Sequence, residues 1–279
     1  MTALLTTPAE LDELIRSGRT PVVLDVRWSL GGPHGGDAYR ERHIPGAVFV
    51  DLEQDLSAQG APTDGRHPLP DPAAFEASAR RWGIDDGDVV VVYDAAMGYG
   101  PARAWWMLRD AGVDARVLDG GLAAWIDAGL PVETGDVTPE PGGVTLQPGQ
   151  LTRLTIDEAA ALAADPGGVL LDARAGERYR GETEPLDPRA GHIPGAVSAP
   201  TTETIGPDGR MRSSADLRAH FTALGVGDGP VGVYCGSGVS AAQEVLALAV
   251  AGYDAALYPG SWSQWSNHPD RPVATGAEA

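Results

Sequence analysis

The one cysteine of the 279-residue chain, Cys235, stands in a context that is typical of a reactive thiol. A short apolar run, residues 231–234, precedes it, and an uninterrupted helical pattern over residues 241–251 follows. The cysteine is therefore expected at the carboxyl end of a buried strand, just before a helix, where open α/β sheets bind their ligands. A thiolate there is a nucleophile that needs no metal or cofactor. The intervening loop consists of Gly236, Ser237, Gly238, Val239 and Ser240.

The loop after Cys235 is predicted to cradle an anion. Two glycines in a tight turn let successive backbone N–H groups point at one centre, and the dipole of the following helix adds positive potential. Both effects favour a thiolate or persulfide over its protonated form. Gly236 and Gly238 could instead serve only as a strand-to-helix turn, and a lone cysteine is often a buried small hydrophobe. The strand end, the glycines and the cysteine together favour the nucleophile.

The elements that must position this loop occur twice along the chain. His-Ile-Pro-Gly-Ala-Val is found identically at residues 43–48 and 192–197. A Thr-x-x-Glu capping box opens each half, at Thr7 and Thr155, and predicts a helix start at both places. An apolar run that ends in Asp-x-Arg also recurs. Repetition in the same order indicates two similar domains.

Each half alternates short apolar runs with helical patterns, which predicts an α/β fold. The runs are continuous rather than alternating, as expected for parallel strands buried on both faces. We predict an N-terminal domain over residues 1–135 and a second domain over residues 151–279 that carries the cysteine. Residues 136–150, rich in Pro, Gly and Thr, are predicted to form an extended linker.

Charge and composition exclude several classes of function. The formal net charge of −19 argues against nucleic acid as a partner, because phosphate binding needs clustered Lys and Arg. A single cysteine excludes an internal disulfide and a cysteine-based zinc cluster. The start of the sequence shows no signal-peptide pattern, and no stretch approaches the roughly 20 apolar residues of a membrane span. These observations predict a cytoplasmic protein without a membrane partner.

The sequence Cys-Gly-Ser-Gly-Val-Ser resembles the active loop of the rhodanese superfamily, and more narrowly that of 3-mercaptopyruvate sulfurtransferases. Ser240 stands where those enzymes carry threonine and keeps the hydroxyl. The repeated His-Ile-Pro-Gly-Ala and Asp-x-Arg segments and residues 260–265 also match two-domain rhodaneses, so the resemblance covers nearly the whole chain. It implies two tandem rhodanese-like domains, each a mainly parallel sheet flanked by helices. It also implies that only the C-terminal domain is catalytic, and Asp94 in the place of the cysteine agrees.

The resemblance further implies arginines that bind an anionic substrate. Arg178 matches a family arginine that contacts the substrate, and a guanidinium can donate two parallel hydrogen bonds to a carboxylate. A surface ion pair with a neighbouring glutamate is the alternative. Arg189 lies near the place of a second family arginine, but its spacing differs, which leaves its role open. Arg66 and His67 are further residues that could reach the cleft between the domains.

A proposed Ser-His-Asp set in the mercaptopyruvate enzymes suggests a role for Ser237, which could polarise a substrate carbonyl, and for His43. The histidine has a twin, His192, in the repeated segment, and that twin has no partner cysteine of its own. Turn structure therefore accounts better for both histidines. Asp37 could be the acid of such a set, although nothing in the spacing singles it out.

The implied reaction moves sulfur from a small donor, 3-mercaptopyruvate or thiosulfate, onto Cys235 as a persulfide. A thiol such as thioredoxin or a small thiol, or cyanide, then accepts it. Thiosulfate rhodaneses carry two cations in the loop, whereas Gly236 and Ser237 are neutral, which favours mercaptopyruvate. Two other functional classes, phosphatases and non-catalytic binding modules, are the alternatives. Related phosphatases need an arginine six residues after the cysteine, where this chain has Ala241. A non-catalytic rhodanese used as a binding module would not need the intact loop.

Overall fold

The computed structural model describes residues 3–18, 21–95 and 98–277, and it divides the chain into two compact units. The first unit comprises residues 1–58, 70–151 and 207–210. The second comprises residues 59–69, 152–206 and 211–279. Two short segments therefore belong to the unit opposite to their half of the chain, and the sequence boundaries did not anticipate this.

The first unit is a five-stranded parallel sheet in the order β1-β5-β4-β2-β3, with helices in the connections. Its elements are β1 (Leu5–Thr6), α1 (Pro8–Arg16), β2 (Val22–Asp25), α2 (Gly35–Glu41), β3 (Val48–Phe49), α3 (Leu52–Asp55), α4 (Pro72–Arg81), β4 (Val89–Tyr93), α5 (Tyr99–Asp110), β5 (Asp114–Leu118) and α6 (Gly121–Asp127). The central strand β4 is almost entirely buried, as its continuous apolar run predicts.

The second unit repeats this plan with a four-stranded parallel sheet in the order β7-β6-β8-β9. Its elements are α7 (Ile156–Ala164), β6 (Val169–Asp172), α8 (Gly176–Tyr179), β7 (Val197–Ser198), α9 (Ser214–Ala223), β8 (Val231–Tyr234), α10 (Ser240–Ala251), β9 (Ala256–Leu257) and α11 (Ser261–Ser266). A single bridge from Arg153 to Leu257 stands where the first sheet has β1. The predicted α/β class with two tandem, mainly parallel sheets is confirmed.

Both predicted capping boxes are present and begin α1 and α7. The hydroxyl of Thr7 accepts a hydrogen bond from the Glu10 amide, while the Glu10 carboxylate accepts one from the Thr7 amide at 2.8 Å. Thr155 and Glu158 make the same reciprocal pair. Each box satisfies amides that the first helical turn leaves unpaired, so these helices begin where the sequence predicts.

The repeated His-Ile-Pro-Gly-Ala segments are structural in both units. His43 is fully buried, stacks on Tyr39 with ring centroids 4.2 Å apart, and donates from Nδ1 to the Tyr39 carbonyl. His192 stacks on Tyr179 at 3.7 Å and donates to its carbonyl in the same way. Both histidines are thus held by the repeated turn, the explanation that the sequence favoured, and the substrate role of His43 stays an untested prediction.

The segment predicted as a linker, residues 136–150, is extended but packs closely on the first unit. Val144 and Leu146 are buried, and the Val144 amide donates to the Ile84 carbonyl at 3.1 Å. The Gln147 amide donates to the Ala111 carbonyl at 2.9 Å. Its backbone is satisfied by the domain it leaves, so the segment does not behave as a free spacer.

Helix α10 carries a glutamate whose side chain has no exposed surface. Glu244 is fully buried, and the nearby Thr201 side chain favours its charged form less than burial disfavours it. Burial raises the pKa of Glu244 to about 8, because the charged form loses its hydration. The folded protein therefore holds this proton more tightly than the unfolded chain, in which glutamate titrates near 4.5. Stability from this group is full below about pH 4.5 and declines as the pH rises to 8.

We expect Glu244→Gln to remove that decline, since an amide cannot lose a proton. Relative to wild type, the free energy of unfolding should rise by at least about 1 kcal/mol at pH 8 and change little at pH 5. Urea unfolding at the two pH values measures the difference, with the exposed Glu140→Gln as the matched charge control. An equal effect at both pH values would show that Glu244 is ionised in the folded protein.

Candidate active site at the Cys235 loop

Cys235 lies at the carboxyl end of β8, immediately before α10, as the sequence predicts. Its side chain is only 2% exposed, and the amide N–H of Gly238 donates to its sulfur at 3.1 Å. Gly238 has a positive φ of +78°, and a Cβ atom there would lie 2.4 Å from the Pro259 carbonyl oxygen. Only glycine can hold this backbone conformation in this space. The loop therefore supplies one amide donor to a sulfur anion by direct contact.

Helix α11 holds the backbone of the cysteine loop in place. The carbonyl of Cys235 accepts from the Trp262 amide at 2.9 Å, and the carbonyl of Gly236 accepts from the Ser263 amide at 2.8 Å. The Cys235 amide donates to the hydroxyl of Ser261 at 3.1 Å. Ser261 has a φ of +54°, the only positive φ outside glycine among the described residues, and such strain commonly accompanies functional sites. These bonds fix the direction of the loop before any substrate arrives.

Residues 59–69 dock on α11 within the second unit. The Arg66 amide donates to the Ser263 hydroxyl at 3.0 Å, and the side chains of Gln264 and His268 reach the Thr63 carbonyl at 3.3 and 3.1 Å. Gly65 passes so close that a Cβ atom there would lie 2.8 Å from the Gly260 carbonyl oxygen. The docking brings two side chains from the first half of the chain to the cysteine loop.

His67 is the histidine that meets the loop. Its Nδ1 lies 2.7 Å from the Ser237 hydroxyl, and the two side chains are 2% and 6% exposed. Ser237 follows Cys235 by two residues, so a hydroxyl held by an imidazole stands beside the nucleophile. Sequence reasoning found no defined partner for His67, and the family resemblance suggested His43 for this role instead. Asp37, the suggested acid, is paired with Arg40 on the surface of α2 in the first unit.

Two arginine side chains cover Gly236. A Cβ atom on Gly236 would lie 3.4 Å from Nη1 of Arg178 and 3.4 Å from Nη2 of Arg66. Both guanidinium groups contact the buried Asp187, and Arg178 also pairs with Glu184 at 2.7 Å. Arg178 therefore has the ion pair that the alternative explanation expected and lies at the loop as well. Arg66 is the second arginine of the site.

Arg189 supports α11 instead of facing the loop. Its guanidinium donates to four backbone carbonyls, those of Trp265, Ser266, His268 and Arg271, at 2.7–2.9 Å. The carbonyls of Trp265 and His268 also accept backbone amides, so the guanidinium ties the end of α11 to the chain that follows it. With four of its donors used in this way, Arg189 has a structural role, and its substrate role stays an untested prediction.

The matching position of the first unit holds a carboxylate. Asp94 follows β4 and precedes α5, and the Gly98 amide donates to both of its oxygens at 3.3 Å. The loop predicted here runs over residues 94–98, of which Ala96 and Met97 lie outside the described residues. The same strand-to-helix frame thus carries an acid where the second unit carries the thiol.

Comparison with known proteins shows which family and which proteins the chain resembles. A model of the rhodanese-like domain matches residues 7–128 and 155–268. SseB of Mycobacterium tuberculosis (strain H37Rv), provisionally named a thiosulfate sulfurtransferase, is 50% identical over 98% of this chain and 97% of its own. A probable 3-mercaptopyruvate sulfurtransferase of Pseudomonas aeruginosa is 48% identical over 91% and 92%. The crystal structure of SseA from Escherichia coli, described as a 3-mercaptopyruvate sulfotransferase with the rhodanese fold, matches with a TM-score of 0.83 at 33% identity. It covers 94% of this chain and 99% of that one.

The fold and these relatives define a sulfurtransferase built from two similar domains. The chain belongs to the rhodanese family, with both copies of the domain in one polypeptide. Among the described residues, no helix is long and apolar enough to cross a lipid bilayer.

We expect Gly238→Ala to disrupt the sulfur contact, because a Cβ atom would collide with the Pro259 carbonyl and strain the positive φ. Persulfide formation on Cys235 should fall at least about tenfold, and the protein should lose about 1–3 kcal/mol of stability. Intact-mass measurement after donor treatment reports the first and urea unfolding the second. Gly227→Ala is the control, since nothing lies within 4 Å of that position. Normal persulfide formation by Gly238→Ala would refute this role of the loop.

Proposed function

We propose that the protein takes sulfur from 3-mercaptopyruvate onto Cys235 as a persulfide and passes it to a thiol or cyanide. The observation that carries this proposal is the 2.7 Å contact between His67 and Ser237, two residues after the nucleophile. A donor with a carbonyl group needs a hydrogen-bond donor as its oxygen gains charge, and the Ser237 hydroxyl is placed to provide one.

The first half-reaction is a displacement at sulfur. The Cys235 thiolate attacks the donor's sulfur, an S–S bond forms, and the C–S bond breaks with its electrons leaving as pyruvate enolate. The proton of the donor thiol ends on the enolate carbon, so pyruvate and a deprotonated persulfide result. The Gly238 amide, which already touches the sulfur of Cys235, is positioned to stabilise that anion.

Ser237 and His67 stabilise the leaving group in this scheme. As the enolate forms, the Ser237 hydroxyl donates to the developing oxyanion. His67 Nδ1–H then donates to the Ser237 oxygen and holds the hydroxyl in the required direction. A fixed donor in a site with little water stabilises such charge without reorganisation, which is why single donors of this kind have large effects on rate.

Arg178 and Arg66 serve the donor's carboxylate. Their guanidinium groups lie over Gly236, next to the nucleophile, and a carboxylate is the anion that a guanidinium fits best. Glu184 and Asp187 offset their positive charge. A site with little net charge accepts a monoanion such as mercaptopyruvate more readily than the thiosulfate dianion.

Thiosulfate remains the rival donor, and two observations favour it. A relative with 50% identity carries that name, and Arg66 and Arg178 supply the cations that the neutral loop lacks. The loop sequence alone therefore does not decide the donor. Sulfite, however, leaves as an anion without a carbonyl, and for that reaction the Ser237–His67 pair would have no function. The pair is the reason for choosing mercaptopyruvate.

The second half-reaction returns the enzyme to its starting state. An acceptor thiolate or cyanide attacks the outer sulfur of the persulfide and releases the Cys235 thiolate. Thioredoxin, a small thiol or cyanide would serve as the acceptor, with no other cofactor. We place the enzyme in the cytoplasm, where a reduced cysteine and thiol acceptors persist. The first unit, with Asp94 at the matching position, contributes no nucleophile.

Cys235→Ala is expected to fold normally and to lose all transfer, since the chain has no second thiol. Intact-mass measurement after treatment with 3-mercaptopyruvate should show one added sulfur on wild type and none on the variant. Sulfur transfer by the pure variant would contradict the mechanism. Absence of added sulfur on wild type with either donor would instead favour a non-catalytic binding module.

Ser237→Ala should separate the two donors. Loss of the hydroxyl removes a donor to the enolate, so kcat/KM for mercaptopyruvate should fall about a hundredfold. Because sulfite does not need that hydroxyl, kcat/KM for thiosulfate should change less than about threefold. Steady-state assays with both donors give the comparison, and Ser237→Thr, which keeps a hydroxyl, should recover part of the loss. An equal fall for both donors would show that Ser237 only shapes the loop, and a wild type that prefers thiosulfate would overturn the choice of donor.

A further inference from the structure

Asp187 contacts the guanidinium groups of two arginines, Arg66 and Arg178, that also lie beside the Cys235 loop. Its Oδ1 accepts from Nη1 of Arg66 at 2.7 Å, and its Oδ2 accepts from Nη2 of Arg178 at 3.3 Å. The other terminal nitrogens, Nη2 of Arg66 and Nη1 of Arg178, are the atoms that lie 3.4 Å from a Cβ atom built on Gly236. Asp187 thus holds one terminal nitrogen of each guanidinium, and the second terminal nitrogen of each lies nearest the loop. Nη2 of Arg178, which Asp187 and Glu184 share, is 3.9 Å from the same Cβ position.

The pairing covers the two carboxylates of the segment while leaving the arginines partly exposed. The Asp187 side chain is 2% exposed, and Glu184, which is equally buried, holds Arg178 from another side. The amides of Leu186 and Asp187 donate to the Glu184 carboxylate at 3.1 and 3.2 Å, which fixes this turn of the chain. The Nε atoms of both arginines are buried and have no hydrogen-bond partner within the described residues. Each guanidinium therefore keeps one buried donor that no group of the described protein satisfies.

We infer that Asp187 is the residue that sets which donor charge the site accepts. Arg66 and Arg178 form a clamp for one anionic group beside Gly236, and Asp187 both orients the clamp and cancels part of its charge. A donor with a single carboxylate then binds the two remaining nitrogens, Nη2 of Arg66 and Nη1 of Arg178. The site keeps little excess charge of either sign. A dianion meets the same nitrogens and also the repulsion of Asp187, which acts on it about twice as strongly as on a monoanion.

This inference rests on the proposed function, because it assumes that the donor's anionic group binds beside Gly236. The binding step can be measured without sulfur transfer, so the two ideas can fail separately. On a Cys235→Ala background no persulfide forms, and thiosulfate and pyruvate serve as unreactive probes of a dianion and a carboxylate monoanion.

Asp187→Asn is the decisive substitution. The amide oxygen can keep the stronger contact with Arg66, and Glu184 still holds Arg178, while the negative charge is lost. In the Cys235→Ala background we expect thiosulfate to bind about tenfold more tightly and pyruvate to change less than about threefold. With Cys235 present, the ratio of kcat/KM for thiosulfate to that for mercaptopyruvate should rise about tenfold, mainly through KM. Titration calorimetry and steady-state assays give the two readouts.

Two further variants control for position and for general charge. Asp187→Glu keeps the carboxylate and should leave the donor ratio within about threefold of wild type. Glu182→Gln removes the same charge from the same segment, but Glu182 pairs with Arg180 at the surface, so the ratio should not move. Equal loss of affinity for both probes in Asp187→Asn would mean that Asp187 only positions the arginines, and an unchanged ratio would mean that it has no influence; either result overturns the inference. Failure of wild type to take sulfur from mercaptopyruvate would instead overturn the proposed function.

Discussion

The Cys235 side chain is only 2% exposed, so a negative charge on its sulfur must be stabilised mainly by groups of the protein. The nearest such group is the Gly238 amide, which reaches the sulfur only because Gly238 adopts a positive φ against the Pro259 carbonyl. That conformation in turn depends on α11, whose first amides hold the carbonyls of Cys235 and Gly236. Strand β8, the loop and α11 are therefore joined by hydrogen bonds into one unit around the sulfur.

The parts of the Cys235 site that follow from local sequence patterns were predictable from the sequence. A buried strand has a continuous apolar run, a helix start has a capping box, and a nest needs glycine at defined positions. Cys235 and its loop combine such signals within a few residues. The repeated segments give the same fold prediction for both halves of the chain. Each of these features is determined by residues close together in the chain, which is why the sequence and the structure agree on them.

The side chains around the loop come together through contacts between distant residues, and the sequence pointed to others. Arg189 stands near the expected arginine along the chain, yet its guanidinium donates to backbone carbonyls at the end of α11. His43 lies in a family motif, yet it is buried against Tyr39. The residues at the loop are Arg66 and His67, whose place is set by the docking of residues 59–69 on α11 about 200 positions later. No periodicity or propensity encodes such a contact.

One signal for that docking is nevertheless present in the repeat. Asp-Gly-Arg occurs at residues 64–66 and again at 208–210, and each copy belongs to the unit opposite to its half of the chain. In the first unit Arg210 reaches the Asp119 carbonyl just before α6, at the place where the second unit has the start of α11. Both units contain a short segment from the other half of the chain. This exchange of segments therefore belongs to the duplicated fold and does not depend on a catalytic cysteine.

Its consequence differs between the units because only one of them has a thiol at the strand end. In the second unit the exchanged segment brings Arg66 over Gly236 and His67 to Ser237, whereas Asp94 occupies the corresponding strand end in the first. A second half that began at residue 151 would keep the cysteine loop and lose both side chains. The first half of the chain therefore contributes side chains to the Cys235 loop through residues 59–69, although it has no cysteine of its own.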